Sequence, residues 1–91
     1  MATFAEFMVT GVVQGVGFRW FTRREARRLG IRGWVRNRSD GSVQALVLGE
    51  EQAVAEFEQL LRQGPPGAVV ESVLRSTPSQ IVNYESFEVT G

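Results

Sequence analysis

One tight-turn signal, Ser39-Asp40-Gly41-Ser42, stands between two stretches of helical periodicity, and each of those stretches is bracketed by β-branched and apolar runs. Few folds satisfy that order. Asp-Gly accepts the positive φ of a short hairpin, so the runs at 31–37 and 43–48 are read as antiparallel neighbours. Upstream, residues 6–13 form a strand candidate with Phe7, Val9 and Val13 on one face. Phe18, Thr22, Ala26 and Leu29 then recur at helical spacing, and Gly30 stands where a C-terminal cap belongs, which predicts a helix over about residues 19–29. Val43, Ala45 and Val47 alternate with Gln44, Leu46 and Leu48. Beyond them Ala53, Val54, Phe57, Leu60 and Leu61 repeat at i, i+1, i+4, i+7 and i+8, between an acidic Glu50-Glu51 start and a Gly64-Pro65-Pro66 stop. Residues 69–75 and 84–90 read as terminal strands joined by a turn around Pro78. The order is βαββαβ with a short extra C-terminal strand. It predicts an α+β, two-layer sandwich whose antiparallel or mixed sheet carries both helices on one face.

At 91 residues the chain reads as a single domain over 1–91 with room for one core and no large cavity. No apolar run approaches the ~20 residues of a membrane span. The start, Met1 to Glu6, lacks a basic stretch followed by an apolar one, so the cytoplasm is the expected compartment, and a monomer is the expected state. What the composition lacks narrows the chemistry further. There is no Cys, no His and no Lys, so all ten cationic side chains are Arg. Disulfides, thiolate nucleophiles, zinc knuckles, imidazole bases and Schiff bases are all removed. Chemistry must come from Arg, carboxylates, hydroxyls, amides or the backbone.

The formal net charge of zero conceals two opposed regions. Arg19 to Arg38 contains eight Arg and one acid, a net +7, whereas Ser39 to Gly91 contains two Arg and eight acids, a net −6. With both helices on one face, some of Arg23, Arg24, Arg27 and Arg28 are expected to meet Glu50, Glu51, Glu56 or Glu58 across the groove between them.

The basic region begins at a glycine-spaced turn, Gly11-Val12-Val13-Gln14-Gly15-Val16-Gly17-Phe18-Arg19. Glycines let the backbone present consecutive N–H groups, and the helix that follows adds its unpaired N–H groups and the positive end of its dipole, a combination suited to an oxyanion. Many such turns use glycine for conformation alone. Arg19 is the discordant residue, because a cation at a helix N-terminus is disfavoured by about 0.3–1 kcal/mol. A bound phosphate would reverse that sign, since the guanidinium fork matches two phosphate oxygens. Arg23, Arg24, Arg27 and Arg28 read more simply as a solvated face. Trp20 and Trp34 read as core or partly buried aromatics, and Phe18 as the anchor of the turn. Asn37 alone reads as an Asx-turn residue closing the 37–41 hairpin.

Together with Gly33-Trp34-Val35-Arg36-Asn37-Arg38-Ser39-Asp40-Gly41-Ser42-Val43 and Gly49, this turn resembles the two signatures of the acylphosphatase family. The resemblance extends over essentially the whole chain, with no departure at a position where the family carries chemistry. It implies a ferredoxin-like βαββαβ fold and hydrolysis of acyl phosphates to a carboxylate and inorganic phosphate, with no metal or organic cofactor. It implies a phosphate-binding loop of Gln14, Gly15, Val16, Gly17, Phe18 and Arg19, in which Arg19 and the N–H groups of residues 15–19 hold the phosphoryl group. It implies that Asn37 positions the attacking water, and that the substrate's own phosphate helps accept the water's proton. The expected partners are an acyl phosphate and inorganic phosphate or a similar anion.

Two other readings use the same residues. A non-catalytic anion or RNA binder on this topology would use sheet-face aromatics, but residues 43–48 lack an aromatic-rich pattern and the net charge is zero. An accessory domain handling carbamoyl phosphate, like those in hydrogenase-maturation proteins, would need further domains for the subsequent transfer.

Overall fold

The computed structural model describes residues 1–80 and 82–91. Alternating burial over eleven residues forms β1 (Ala2–Val12), followed by α1 (Phe18–Arg28), β2 (Arg32–Asn37), β3 (Val43–Glu50), α2 (Glu51–Gln63), β4 (Val69–Ser76) and β5 (Phe87–Val89). The first strand begins four residues before the apolar run that announces it, because Ala2 to Ala5 pair with Glu50 to Val47 of β3. The last strand is shorter than its sequence suggests, since only Phe87 to Val89 pair with Gly33 to Val35.

The sheet runs β4-β1-β3-β2-β5. β1, β2, β3 and β4 pair antiparallel, and β5 joins β2 in parallel, which makes the sheet mixed. Parallel strands need a crossover. β1-α1-β2 leaves a gap that β3 fills, and β3-α2-β4 leaves one that β1 fills, so the two halves interlock with β1 and β3 central. The central position of β3 explains why even the alternate residues Gln44, Leu46 and Leu48 are buried.

Phe7 of β1, Phe57 of α2 and Phe87 of β5 form a tilted aromatic series with centroid separations of 5.8 and 6.2 Å, tying both layers together. α1 ends in a Schellman motif, with Gly30 N donating to Arg27 O (3.2 Å) and Ile31 N to Ala26 O (2.8 Å). On β2, Gly33 at φ +139° admits no other residue, because a Cβ there would lie 1.8 Å from the Leu46 carbonyl oxygen. That close approach seats β2 against β3 at the start of the segment leading to Asn37.

The charge complementarity between helices is narrower than the sequence suggests. Arg28 reaches Glu56 of α2 at 3.3 Å, the one α1–α2 ion pair among the described residues. Arg24 and Arg28 turn to Glu25 on their own helix, Arg27 turns to Glu88 of β5, and Glu58 is taken by Arg62 and Arg75. α1 lies mainly over β2 and β5. Exposed pairs of this kind contribute about 0–1 kcal/mol each, so they follow the packing rather than set it.

Candidate active site

The turn between β1 and α1 is held from below by its apolar residues. Val13 and Phe18 are buried and Val16 packs against the core, so the chain between them arches outward. Gly15 (φ +75°) and Gly17 (φ +78°) supply the left-handed bends, and Gly17 is the N-cap of α1. A Cβ at either position would meet nothing within 4 Å, so the requirement is conformational and the space above the arch is open. No side chain among the described residues caps α1, and its first turn contains no acid. Its first N–H groups therefore remain available to an anion. Thr22, a buried polar residue, is satisfied by donating to Phe18 O at 2.8 Å.

Arg19 stands in this first turn. Its Nη1 donates to the Gly91 backbone oxygen at 2.6 Å. The same oxygen accepts the backbone N–H of Asn37 at 2.9 Å. One acceptor just beyond β5 thereby brings the two motifs together, with Arg19 on one side and the last residue of β2 on the other. A second link comes from Gln14, whose Nε2 donates to Arg38 O (2.7 Å) and Ser42 O (3.0 Å). The arch is thus fastened to the β2–β3 hairpin.

Asn37 does not close the hairpin. That role belongs to Asp40, whose Oδ1 accepts from Ser42 N at 2.9 Å and from the Ser42 hydroxyl at 2.6 Å. The Ser42 hydroxyl holds the Asp40 carboxyl below its usual range, with backbone hydrogen bonding and Arg38 adding to the effect. The amide of Asn37 is left for other use. Its Oδ1 is buried and accepts no hydrogen bond from any described residue. An unpaired buried acceptor costs about 1–3 kcal/mol, an expense found where a polar group serves chemistry.

All the residues singled out in the sequence, Gln14 to Arg19 and Asn37, lie in this one region. Sequence reasoning missed Gly91, whose contribution is a backbone oxygen that no residue type announces. It also misjudged Trp20, which is 60% exposed rather than part of the core. Trp34 is partly buried, as expected, on the face of the sheet away from the helices. There Arg36 stacks on it at 5.1 Å and its Nε1 donates to the Tyr84 hydroxyl at 3.2 Å. No three His, Cys, Asp or Glu side chains converge among the described residues, no enclosed pocket surrounds the site, and no described helix is long and apolar enough to cross a membrane. The arrangement is a shallow open cradle with Arg19 and the uncapped first turn of α1 on one side and a neutral amide on the other.

Gln14 offers a direct check of how the arch is held. Gln14→Ala removes both links to the hairpin and is expected to cost about 1–2 kcal/mol of stability. On the activity that the resemblance implies, kcat should fall as the arch and Asn37 lose their mutual alignment. Denaturant titration together with steady-state kinetics checks this, and an unchanged kcat would show that the two motifs are held by Gly91 alone.

The family model described as Acylphosphatase matches residues 5–89. The chain is 51% identical over 84 residues to the acylphosphatase of Archaeoglobus fulgidus, spanning 92% of this chain and 93% of that protein. The crystal structure of acylphosphatase from Bacillus subtilis superposes with a TM-score of 0.93 at 33% identity, covering 100% of both chains. A full-length HypF in phosphate- and nucleotide-bound form is similar at a TM-score of 0.91 and 27% identity, covering all of this chain and 12% of that one.

Proposed function

Given that the chain belongs to the acylphosphatase family and hydrolyses acyl phosphates, we propose that the reaction is carried by Arg19, Asn37 and the 14–19 arch, with no metal or organic cofactor. The phosphoryl oxygens rest against the N–H groups of residues 15–19 while the Arg19 guanidinium closes over them as a planar two-donor fork. Asn37 orients a water in line with the acyl oxygen, its Oδ1 accepting one water proton and its Nδ2 available as a donor. The water oxygen forms a bond to phosphorus. The bond from phosphorus to the acyl oxygen breaks, the carboxylate leaves with the electron pair, and the water's proton passes to a phosphoryl oxygen.

A neutral amide suits this position better than a carboxylate base would, because a second negative charge would repel a substrate already anionic. The mixed anhydride is reactive and its leaving group good, so positioning and fixed dipoles suffice for most of the acceleration. The observation that carries the reading is the convergence on Gly91 O of the Arg19 side chain and the Asn37 backbone, beside an Asn37 carbonyl with no protein donor. Against the RNA-binding reading, the sheet-face Trp34 is already engaged by Arg36 and Tyr84. On the same proposal the protein works as a cytoplasmic monomer.

The test is hydrolysis of benzoyl phosphate in the presence of a strong chelator. The rate is expected to equal that without chelator, and inorganic phosphate is expected to inhibit competitively. A rate that collapses with chelator and returns with a divalent cation would refute the metal-free mechanism.

A further inference from the structure

Arg19, Arg23 and Arg27 occupy successive turns of α1 at i, i+4 and i+8, which aligns them in one stripe along the helix. The ends of the stripe are engaged: Arg19 with Gly91 O, and Arg27 with Phe87 O (3.2 Å) and Glu88 (3.2 Å). The middle is different. Among the described residues Arg23 makes no ion pair and no side-chain hydrogen bond, and its guanidinium stacks over the ring of Trp20 at 5.7 Å. Glu88, the acid whose carboxyl Arg23 helps to lower, is taken first by the Ser86 hydroxyl and by Arg27.

Arg23 lies one turn from Arg19 and one from Arg27, so it meets mild like-charge repulsion with no ion pair of its own to offset it. Trp20, 60% exposed immediately after Arg19, buries little of its own surface. Both features are costs, and one role explains them together. A guanidinium resting on an aromatic ring retains N–H donors for another partner, so Trp20 helps to hold Arg23, which has no acceptor among the described residues, about one helical turn from the phosphate cradle. The site around it is open rather than enclosed, so an acyl chain leaving the cradle can run along the helix surface.

We infer that Arg23, supported by Trp20, is a specificity-determining residue that favours acyl phosphates whose acyl group carries a second anionic group, a carboxylate or a phosphate, a few bonds from the anhydride. Arg19 takes the phosphoryl end and Arg23 the distal anion. The inference rests on the placement of Arg19 in the cradle proposed above.

The test compares succinyl phosphate with butyryl phosphate, which have the same chain length and differ by the terminal carboxylate. The wild type is expected to favour succinyl phosphate in kcat/KM, and Arg23→Gln to reduce that preference about fivefold, through KM, as loss of one exposed charge pairing predicts. Trp20→Leu should reduce it by about half as much on a logarithmic scale, by freeing Arg23 from its stacked orientation. Arg24→Gln removes the same charge from a neighbouring position paired with Glu25, and should leave the preference unchanged. A preference unaltered in Arg23→Gln, or equally altered in Arg24→Gln, overturns the inference while leaving the cradle intact. Failure of the wild type on both substrates overturns the cradle reading and this inference with it.

Discussion

Asn37→Ala is expected to lower kcat for benzoyl phosphate by about 10² to 10³-fold while inorganic phosphate inhibits as strongly as before. The proposed mechanism assigns the side chain to the water rather than to the phosphate, and its Oδ1 accepts no hydrogen bond from the described residues, so its removal should leave anion binding in place. Its backbone N–H still bonds Gly91 O, because an alanine keeps that donor. What disappears, on the proposed mechanism, is the group that orients the nucleophile. Stability should be unchanged or slightly higher, since a buried acceptor without a donor is a cost that the variant no longer bears. Asn37→Asp preserves the shape and adds negative charge beside the incoming phosphate, so it should be no more active than alanine. Steady-state kinetics with phosphate inhibition measures both quantities on the same protein, and a parallel loss of kcat and of phosphate affinity would place Asn37 in binding instead.

Arg19→Gln should behave in the opposite sense, with a fall of about 10³-fold in kcat/KM accompanied by a large rise in the inhibition constant for inorganic phosphate. The guanidinium is the one side-chain cation built into the first turn of α1, where the protein accepts an unfavourable dipole interaction of about 0.3–1 kcal/mol. Glutamine removes that penalty and the bond to Gly91 O together, so the change in stability should be small even though the loss of activity is large. Isothermal titration with phosphate, set beside thermal unfolding, separates the two. A variant that still binds phosphate tightly would show that backbone N–H groups alone hold the anion.

The layering and most elements are legible in the sequence because they rest on periodicity. The helix at Ala53 to Leu61 is signalled by its apolar stripe, and the α1 end by Gly30. The edges of the sheet are less visible. β1 extends back to Ala2 through pairing with β3, a tertiary contact that Met1-Ala2-Thr3 does not advertise. β5 contracts to three residues because β2 offers a parallel partner only at Gly33 to Val35. In the site, the arch and Arg19 are readable as a local contradiction between a cation and a helix dipole. Asn37 is not readable alone, since an Asn before Asp-Gly is an ordinary turn residue, and only the structure shows Asp40 doing that work. The pairing of Arg27 with Glu88 rather than α2 follows from the position of α1 over β2 and β5, which no spacing along the chain encodes.

The Gly91 oxygen lies 72 residues from the arginine it holds. A contact so remote closes a long loop, and the entropy of that closure must be met before it contributes. β5, the three-residue strand that leads to this oxygen, sits at an edge of the sheet and is anchored mainly by the buried Phe87 ring. Releasing β5 would withdraw Phe87 from the core and leave Arg19 and Asn37 uncoupled, while β1 to β4 kept their mutual pairing. On the proposed mechanism, the coupling of Arg19 to Asn37 thus depends on the docking of one short strand, and activity would be lost on its release before most of the sheet came apart.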